Sequence, residues 1–158
     1  MTKRKFVSSC AFLITLVGLS NASALAQSRA ESEVFDLVNH ERSRARLGSL
    51  AWDDRLGRLA RDYSRKMARE GFFDHYDGNG RTVIDRAQNA RIDNWAAIGE
   101  NLFFCDDHPS FTRTAISGWL KSRTHRINML DRSWTATGIG VATADDGTIF
   151  ITQVFTHD

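Results

Sequence analysis

Apolar residues recur along this 158-residue chain with two different periods, and the change from one to the other lays out its elements. From Glu31 to Leu47, Val34, Leu37, Val38 and Ala45 keep helical spacing, and Arg42, Arg44 and Arg46 gather where cations favour a helix C-terminus. Gly48 is expected to cap that end. Leu50-Ala51-Trp52 is a short apolar clamp, and Asp53 or Asp54 offers an N-cap to a second helix. In that helix Leu56, Leu59, Ala60, Tyr63 and Met67 fall at i, i+3, i+4, i+7 and i+11, and Gly71 stops it. Phe72-Phe73-Asp74-His75 leads into Tyr76-Asp77-Gly78-Asn79-Gly80, a turn by composition. Thr82 caps a third, shorter helix through Val83, Ile84, Ala87 and Ala90. Ile98 to Phe104 is a strand, and Asp106 to Pro109 a loop. A fourth helix, Ser110 to about Lys121, turns Ala115, Ile116, Trp119 and Leu120 inward, and a polar cluster of His125, Arg126 and Asn128 follows it.

The period then drops to two. Residues 137–142 and 148–155 flank Asp145-Asp146-Gly147, a hairpin signal. In the second strand Ile149, Ile151 and Phe155 point one way, Phe150 and Val154 the other. A strand apolar on both faces needs cover on both. The expected fold is therefore α+β, a three-layer α-β-α sandwich with a small antiparallel sheet between helices.

The N-terminus belongs to a different pattern. Lys3-Arg4-Lys5 precedes an uncharged apolar run from Phe6 to Leu19, and Ala22-Ser23-Ala24 and Ala24-Leu25-Ala26 both fit a small-x-small cleavage site. The run is short for a membrane span of roughly 20 residues. Residues 1–26 are therefore expected to be a cleaved signal peptide, and residues 27–158 a single domain with no membrane span of its own, secreted or periplasmic. This changes the charge argument. The leader carries three of the 21 Lys and Arg and no acid, so the remainder is close to neutral against 19 Asp and Glu. With no basic run elsewhere, nucleic acid is excluded as a partner. Past the leader Cys105 is the one cysteine, so no internal disulfide forms, and its expected role is that of a small buried hydrophobe.

The cluster of His125, Arg126 and Asn128 is too costly to bury without partners. Phe72-Phe73-Asp74-His75 and Gly99-Glu100-Asn101 supply candidates, so that two imidazoles and a carboxylate would share one cleft. Two His and one acid can offer N and O donors to a tetrahedral ion and leave a position for water. The same groups can equally hydrogen-bond one another and tie three elements together without metal. Arg126 and Asn128 are expected to satisfy backbone groups where the fourth helix ends, and Asn101 and Gln153 to do so between strands. Trp52, Trp95, Trp119 and Trp134 are expected in the core or the cleft wall, and His40, His108 and His157 outside the site.

Taken in order, several stretches resemble the CAP superfamily, the SCP/PR-1-like domain of cysteine-rich secretory proteins, antigen 5 and plant PR-1. They are Val38-Asn39-His40-Glu41-Arg42 with Leu50-Ala51-Trp52-Asp53, Phe73-Asp74-His75, Gly99-Glu100-Asn101-Leu102, and Trp119 with His125-Arg126-Ile127-Asn128-Met129-Leu130. Gly138-Ile139-Gly140-Val141 and Thr152-Gln153-Val154-Phe155 complete the set, so the resemblance runs from about residue 33 to 156. It is closest in kind to the short bacterial form without disulfides. The resemblance implies an α-β-α sandwich whose cleft holds two histidines and two acids, found in some members with zinc or another divalent ion. Carried over, the histidines are His75 and His125 and the first acid is Glu100, which makes these three the implied metal ligands. The second acid would lie three positions after the helical tryptophan, where this chain has Ser122. That departure removes one carboxylate from the implied site.

The leading expectation is an extracytoplasmic binding module, taken to be monomeric, rather than an enzyme. Its cleft of His75, Glu100, Ser122 and His125 would take a divalent cation such as zinc, or a small apolar, lipid or cell-envelope ligand. The rival is a metal-dependent, peptidase-like hydrolase acting on envelope polymers or secreted proteins, since zinc lowers the pKa of its water to about 7. Against it, the chain lacks the compact His-Glu-x-x-His motif. A serine mechanism through Ser122, His125 and Glu100 is weaker still: i and i+3 side chains of a regular helix seldom align a hydroxyl with an imidazole, and no Gly-x-Ser-x-Gly elbow is present.

Overall fold

The computed structural model describes residues 19–157, with side chains from Arg29 onward. The expected leader, residues 1–26, therefore lies for the greater part outside the described residues. The first helix, α1, is Leu19–Arg44, followed by β1 (Ala51–Trp52), α2 (Asp54–Glu70) and α3 (Val83–Asn89). Then come β2 (Ala97–Asp106), α4 (Phe111–Lys121), α5 (Arg123–Met129), β3 (Ala136–Thr143) and β4 (Thr148–His157).

Local chemistry explains most of these boundaries. The Asp53 side chain accepts from the backbone N–H groups of Arg55 and Leu56 to start α2, and Gly71 ends it in the left-handed region at φ 66°. Thr82 and Asp85 form a capping box at the start of α3. The end of α1 differs from expectation. Arg46, not Gly48, takes the left-handed conformation at φ 59°. Its N–H bonds the Ser43 carbonyl and the Leu47 N–H bonds the Arg42 carbonyl, which is a Schellman closure. An arginine accepts this strain because the paired carbonyls offset it.

The sheet runs β1-β3-β4-β2. β4 pairs antiparallel with both β3 and β2, whereas the two-residue β1 pairs parallel with β3, an exception to the expected all-antiparallel sheet. The alternation in β4 sorts the layers. Ile149, Ile151 and Phe155 join Ile139 and Val141 of β3 against Val34 and Val38 of α1, Ala115, Ile116 and Trp119 of α4 and Met129 of α5. On the opposite face Val154 packs with Leu56, Leu59 and Ala60 of α2 and Ala87 of α3, while Phe150 and Leu102 meet Tyr63 and Met67. Helices thus cover both faces. On the α2 face β3 presents Gly138 and Gly140, where a Cβ would come 2.1 Å from the backbone nitrogens of Gly57 and Arg61. The helix therefore rests on the bare strand, backbone to backbone. Trp119 is buried, while Trp52 and Trp134 are partly buried against the same core and Trp95 against the α2–α3 cluster.

Candidate functional site

β2 is an edge strand, and its alternation decides which residues look toward α2 and α3. Glu100, Leu102 and Phe104 pair with Val154, Thr152 and Phe150, which places them on that face, and Asn101 turns to the other. The segment after Gly71 runs alongside, pinned where the Tyr63 hydroxyl donates to the Asp74 carbonyl at 2.6 Å. This brings His75 to Glu100, Nδ1 to Oε1 at 2.9 Å, and Phe73 to Phe104, with ring centroids 4.6 Å apart. The Glu100 side chain is only 3% exposed, that of His75 50%. A carboxylate buried so deeply requires a second partner, and Arg86 of α3 provides it. Arg86 Nη2 donates to Glu100 Oε2 at 2.5 Å, and Nη1 donates to the carbonyls of His75 and Arg81. Its guanidinium carbon lies 3.3 Å from the centroid of the Tyr63 ring, a stacked cation–π contact. A cavity of about 300 Å³ adjoins it, lined in part by Tyr63, Asp77, Arg81 and Arg86.

His125 reaches the same region from the other side of the strand. The fourth helix ends at Lys121, as expected, and the helical path does not run on unbroken into the polar cluster. It breaks at Ser122, whose extended backbone (φ −80°, ψ 121°) separates α4 from α5. α5 packs its Met129 into the α1–α4 core and is tied to β2 by amides. Asn101 Nδ2 donates to the His125 carbonyl, and Asn128 Nδ2 donates to the Glu100 carbonyl and to Asn101 Oδ1. Asn128 thus does the expected backbone duty, whereas Arg126 is exposed and stands outside this network. Asn101 serves α5 rather than a neighbouring strand; Gln153 does bridge strands, donating to Thr137 Oγ1.

The two imidazoles differ in electrostatics. The hydrogen bond to Glu100, with that carboxylate's charge, lifts the His75 pKa above the ordinary histidine value. Burial lowers that of His125, and the nearby charge of His75 lowers it further. The two rings therefore sense one another without a direct hydrogen bond. His125 Nδ1 instead meets Ser122 Oγ at 2.8 Å. The expectation that these two would not align assumed a regular helix; the break at Ser122 removes that constraint.

Of the expected site residues, the structure joins His75 to Glu100 and Ser122 to His125, as two pairs. Among the described residues no group of three or more His, Cys, Asp or Glu is placed to hold an ion. Both oxygens of Glu100 already have partners, His75 and Arg86. A divalent ion sharing that carboxylate would also meet repulsion from the guanidinium. It would amount to on the order of 8 kcal/mol, twice the value for unit charges about 4 Å apart at an effective dielectric of about 20. The donor set does not fit a two-histidine, one-carboxylate centre. Nor does Glu100 orient His125, so the Ser122–His125 contact lacks the third member of a hydrolytic triad.

Arg86 is the site residue that sequence reasoning missed. It lies on a short helix with no motif around it, and its partner is 14 positions away. The exposed pair Phe73 and Phe104 was also unmarked as a surface feature. Cys105 is partly buried against the α1–α4 core, and burial raises its thiol pKa, as suits a packing role.

With the fold and the paired groups described, comparison places the chain. The sequence model of CAP, the cysteine-rich secretory protein family, matches residues 35–155, and the chain belongs to that family. It is 31% identical over 116 residues to an uncharacterized membrane protein of Bacillus subtilis (strain 168), YlbC, covering 73% of this chain and 32% of that protein. Among solved structures it is similar to an extracellular SCP-domain protein from Bacillus anthracis str. Ames, with a TM-score of 0.77 and 31% identity over 89% of this chain and 44% of that one. The chain thus spans less than half the length of these relatives. NaASP2, solved with Zn²⁺, shares the fold at a TM-score of 0.58 and 14% identity, covering 80% of this chain and 78% of that one. Among the described residues no helix is long and apolar enough to cross a membrane.

Proposed function

We propose that this CAP domain is an extracytoplasmic binding module, and that the His75–Glu100 region takes a small cell-envelope ligand with an apolar face and a hydrogen-bonding edge. The observation that carries this reading is the exposed aromatic pair beside the histidine. Phe73 and Phe104 are 43% and 51% exposed and pack on one another, although a monomer gains nothing by presenting two phenylalanines to water. Phe104 stands four strand positions from Glu100, about 13 Å along β2. A molecule of disaccharide length could lay an apolar face on the rings and meet His75 at its other end. The nearly buried Glu100 holds Nδ1 of that ring, which leaves Nε2 for the ligand. Export is supported by the leader pattern and by the likeness to the extracellular protein from Bacillus anthracis.

Calorimetric titration with chitobiose, a soluble muropeptide and decanoate tests the binding reading. One of these probes is expected to bind, about tenfold more weakly to Phe104→Ala and to His75→Ala. Equal binding by both variants and the parent would discard the site. N-terminal sequencing of material recovered outside the cytoplasm tests export, with residue 25 or 27 expected first.

A further inference from the structure

Arg86 answers a question that the family likeness raises: what balances the charge of Glu100. The carboxylate is 3% exposed and the guanidinium 9%, joined Nη2 to Oε2 at 2.5 Å. Arg86 cannot swing away, because the Tyr63 ring holds one face and the carbonyls of His75 and Arg81 hold Nη1. The positive charge is therefore supplied by the chain, fixed in place, and bonded to the one acid of the implied ligand set. From this geometry we infer that Arg86 stands in for a divalent ion, and that this site is built to work without metal. The guanidinium does three things an ion would do: it neutralises the buried carboxylate, fixes its orientation, and through Oε1 fixes the tautomer and direction of His75. What remains for a ligand is hydrogen bonding to imidazole, with no Lewis acid. The inference rests on the reading of this region as a binding site but not on any organic ligand, so it can fail while that reading stands.

Zinc chloride titrated calorimetrically into the purified chain and its variants tests it, with folding followed by circular dichroism. Glu100→Gln is expected to change zinc affinity less than threefold, since Glu100 is not a ligand. A folded Arg86→Met is expected to gain tenfold or more, because it frees the carboxylate, and Arg86→Lys, which keeps the charge, is expected not to. A threefold or larger loss in Glu100→Gln overturns the inference, as does a folded Arg86→Met that gains less than tenfold. Should these variants fail to fold, a wild-type crystal soaked in zinc chloride decides. Zinc in this region, whether within about 2.2 Å of a Glu100 oxygen or on the imidazole nitrogens of His75 or His125, overturns the proposal; no zinc there supports it.

Discussion

Two histidines in one region are held in opposite protonation tendencies by what touches them. Glu100 lifts His75, and burial depresses His125, so a titration followed by imidazole NMR should show His75 above and His125 below the ordinary value of about 6.5. Glu100→Gln should bring His75 down. His75→Asn should raise His125 only part of the way, because burial is the larger cause of its shift. The effects on stability have opposite signs. The His75–Glu100 contribution is fully present below the unfolded histidine pKa and is lost as pH rises through the raised folded value. The neutral, partly buried His125 contributes above the unfolded value, and that stability is lost as pH falls through its lowered folded value. His75 is half exposed, so His75→Ala should cost no more than about 1 kcal/mol in denaturant unfolding, solvent screening included. Its importance should show in binding instead.

Whole elements were legible wherever their signals were local. α2 was readable from its spacing, its Asp53 cap and its Gly71 stop, and the hairpin from Asp145-Asp146-Gly147 between alternating strands. The end of α4 near Lys121 was legible too, but the short helix α5 beyond it was not, because no side-chain cap marks its start; tertiary contacts of the Asn101 and Asn128 amides hold it in place. His75 and Glu100 were picked out as candidate partners because a polar cluster needed them, and the family resemblance gave them roles. Arg86 was invisible, since an isolated arginine has no period. Another arginine shows how far such ties reach. Arg42 is 1% exposed and donates from Nε to the Gly48 carbonyl and from Nη1 to the carbonyls of Met129 and Asp131. It thereby locks the end of α1 to the end of α5, which carries His125. Arg42→Met would leave three carbonyls without their donor, at a cost of about 3 kcal/mol. Denaturant unfolding measures that loss. In the same variant the His125 imidazole resonance should move even though Arg42 does not touch it, and an unmoved resonance would show that α5 is positioned by β2 alone.

At the scale of the whole molecule, the three layers are joined without a disulfide among the described residues, where Cys105 is a free thiol. Close approach does part of this. A methyl at Gly140 would sit 2.1 Å from the Arg61 nitrogen, so Gly140→Ala must push α2 off the sheet. A loss at or above the upper end of the 1–3 kcal/mol typical of overpacking is expected in denaturant unfolding. The remaining weakness is an edge. β1 covers only Ala136 and Thr137 of β3, so the far half of that strand would offer bare backbone to another chain. Glu31 of α1 closes the gap. Its carboxylate is 5% exposed, accepts from Arg61 Nε and Nη2 of α2 at 2.7 and 2.9 Å, and also accepts from the Val141 N–H at 3.3 Å. One carboxylate thus spans from the helix on one face to the helix on the other, with the strand edge between them. Burial of a charge so well paired adds modest net stability, but removing one partner leaves the other desolvated. Arg61 retains some solvent contact, which reduces that penalty to about 2 kcal/mol for Glu31→Ala. The sharper signature is local. Hydrogen exchange at the Val141 amide should accelerate more than at its neighbours bonded within the β3–β4 ladder, and the variant should aggregate on heating at concentrations where the parent stays monodisperse. If Val141 exchanged only in step with global destabilisation, Glu31 would be an ion-pair partner of Arg61 and not a guard of the edge.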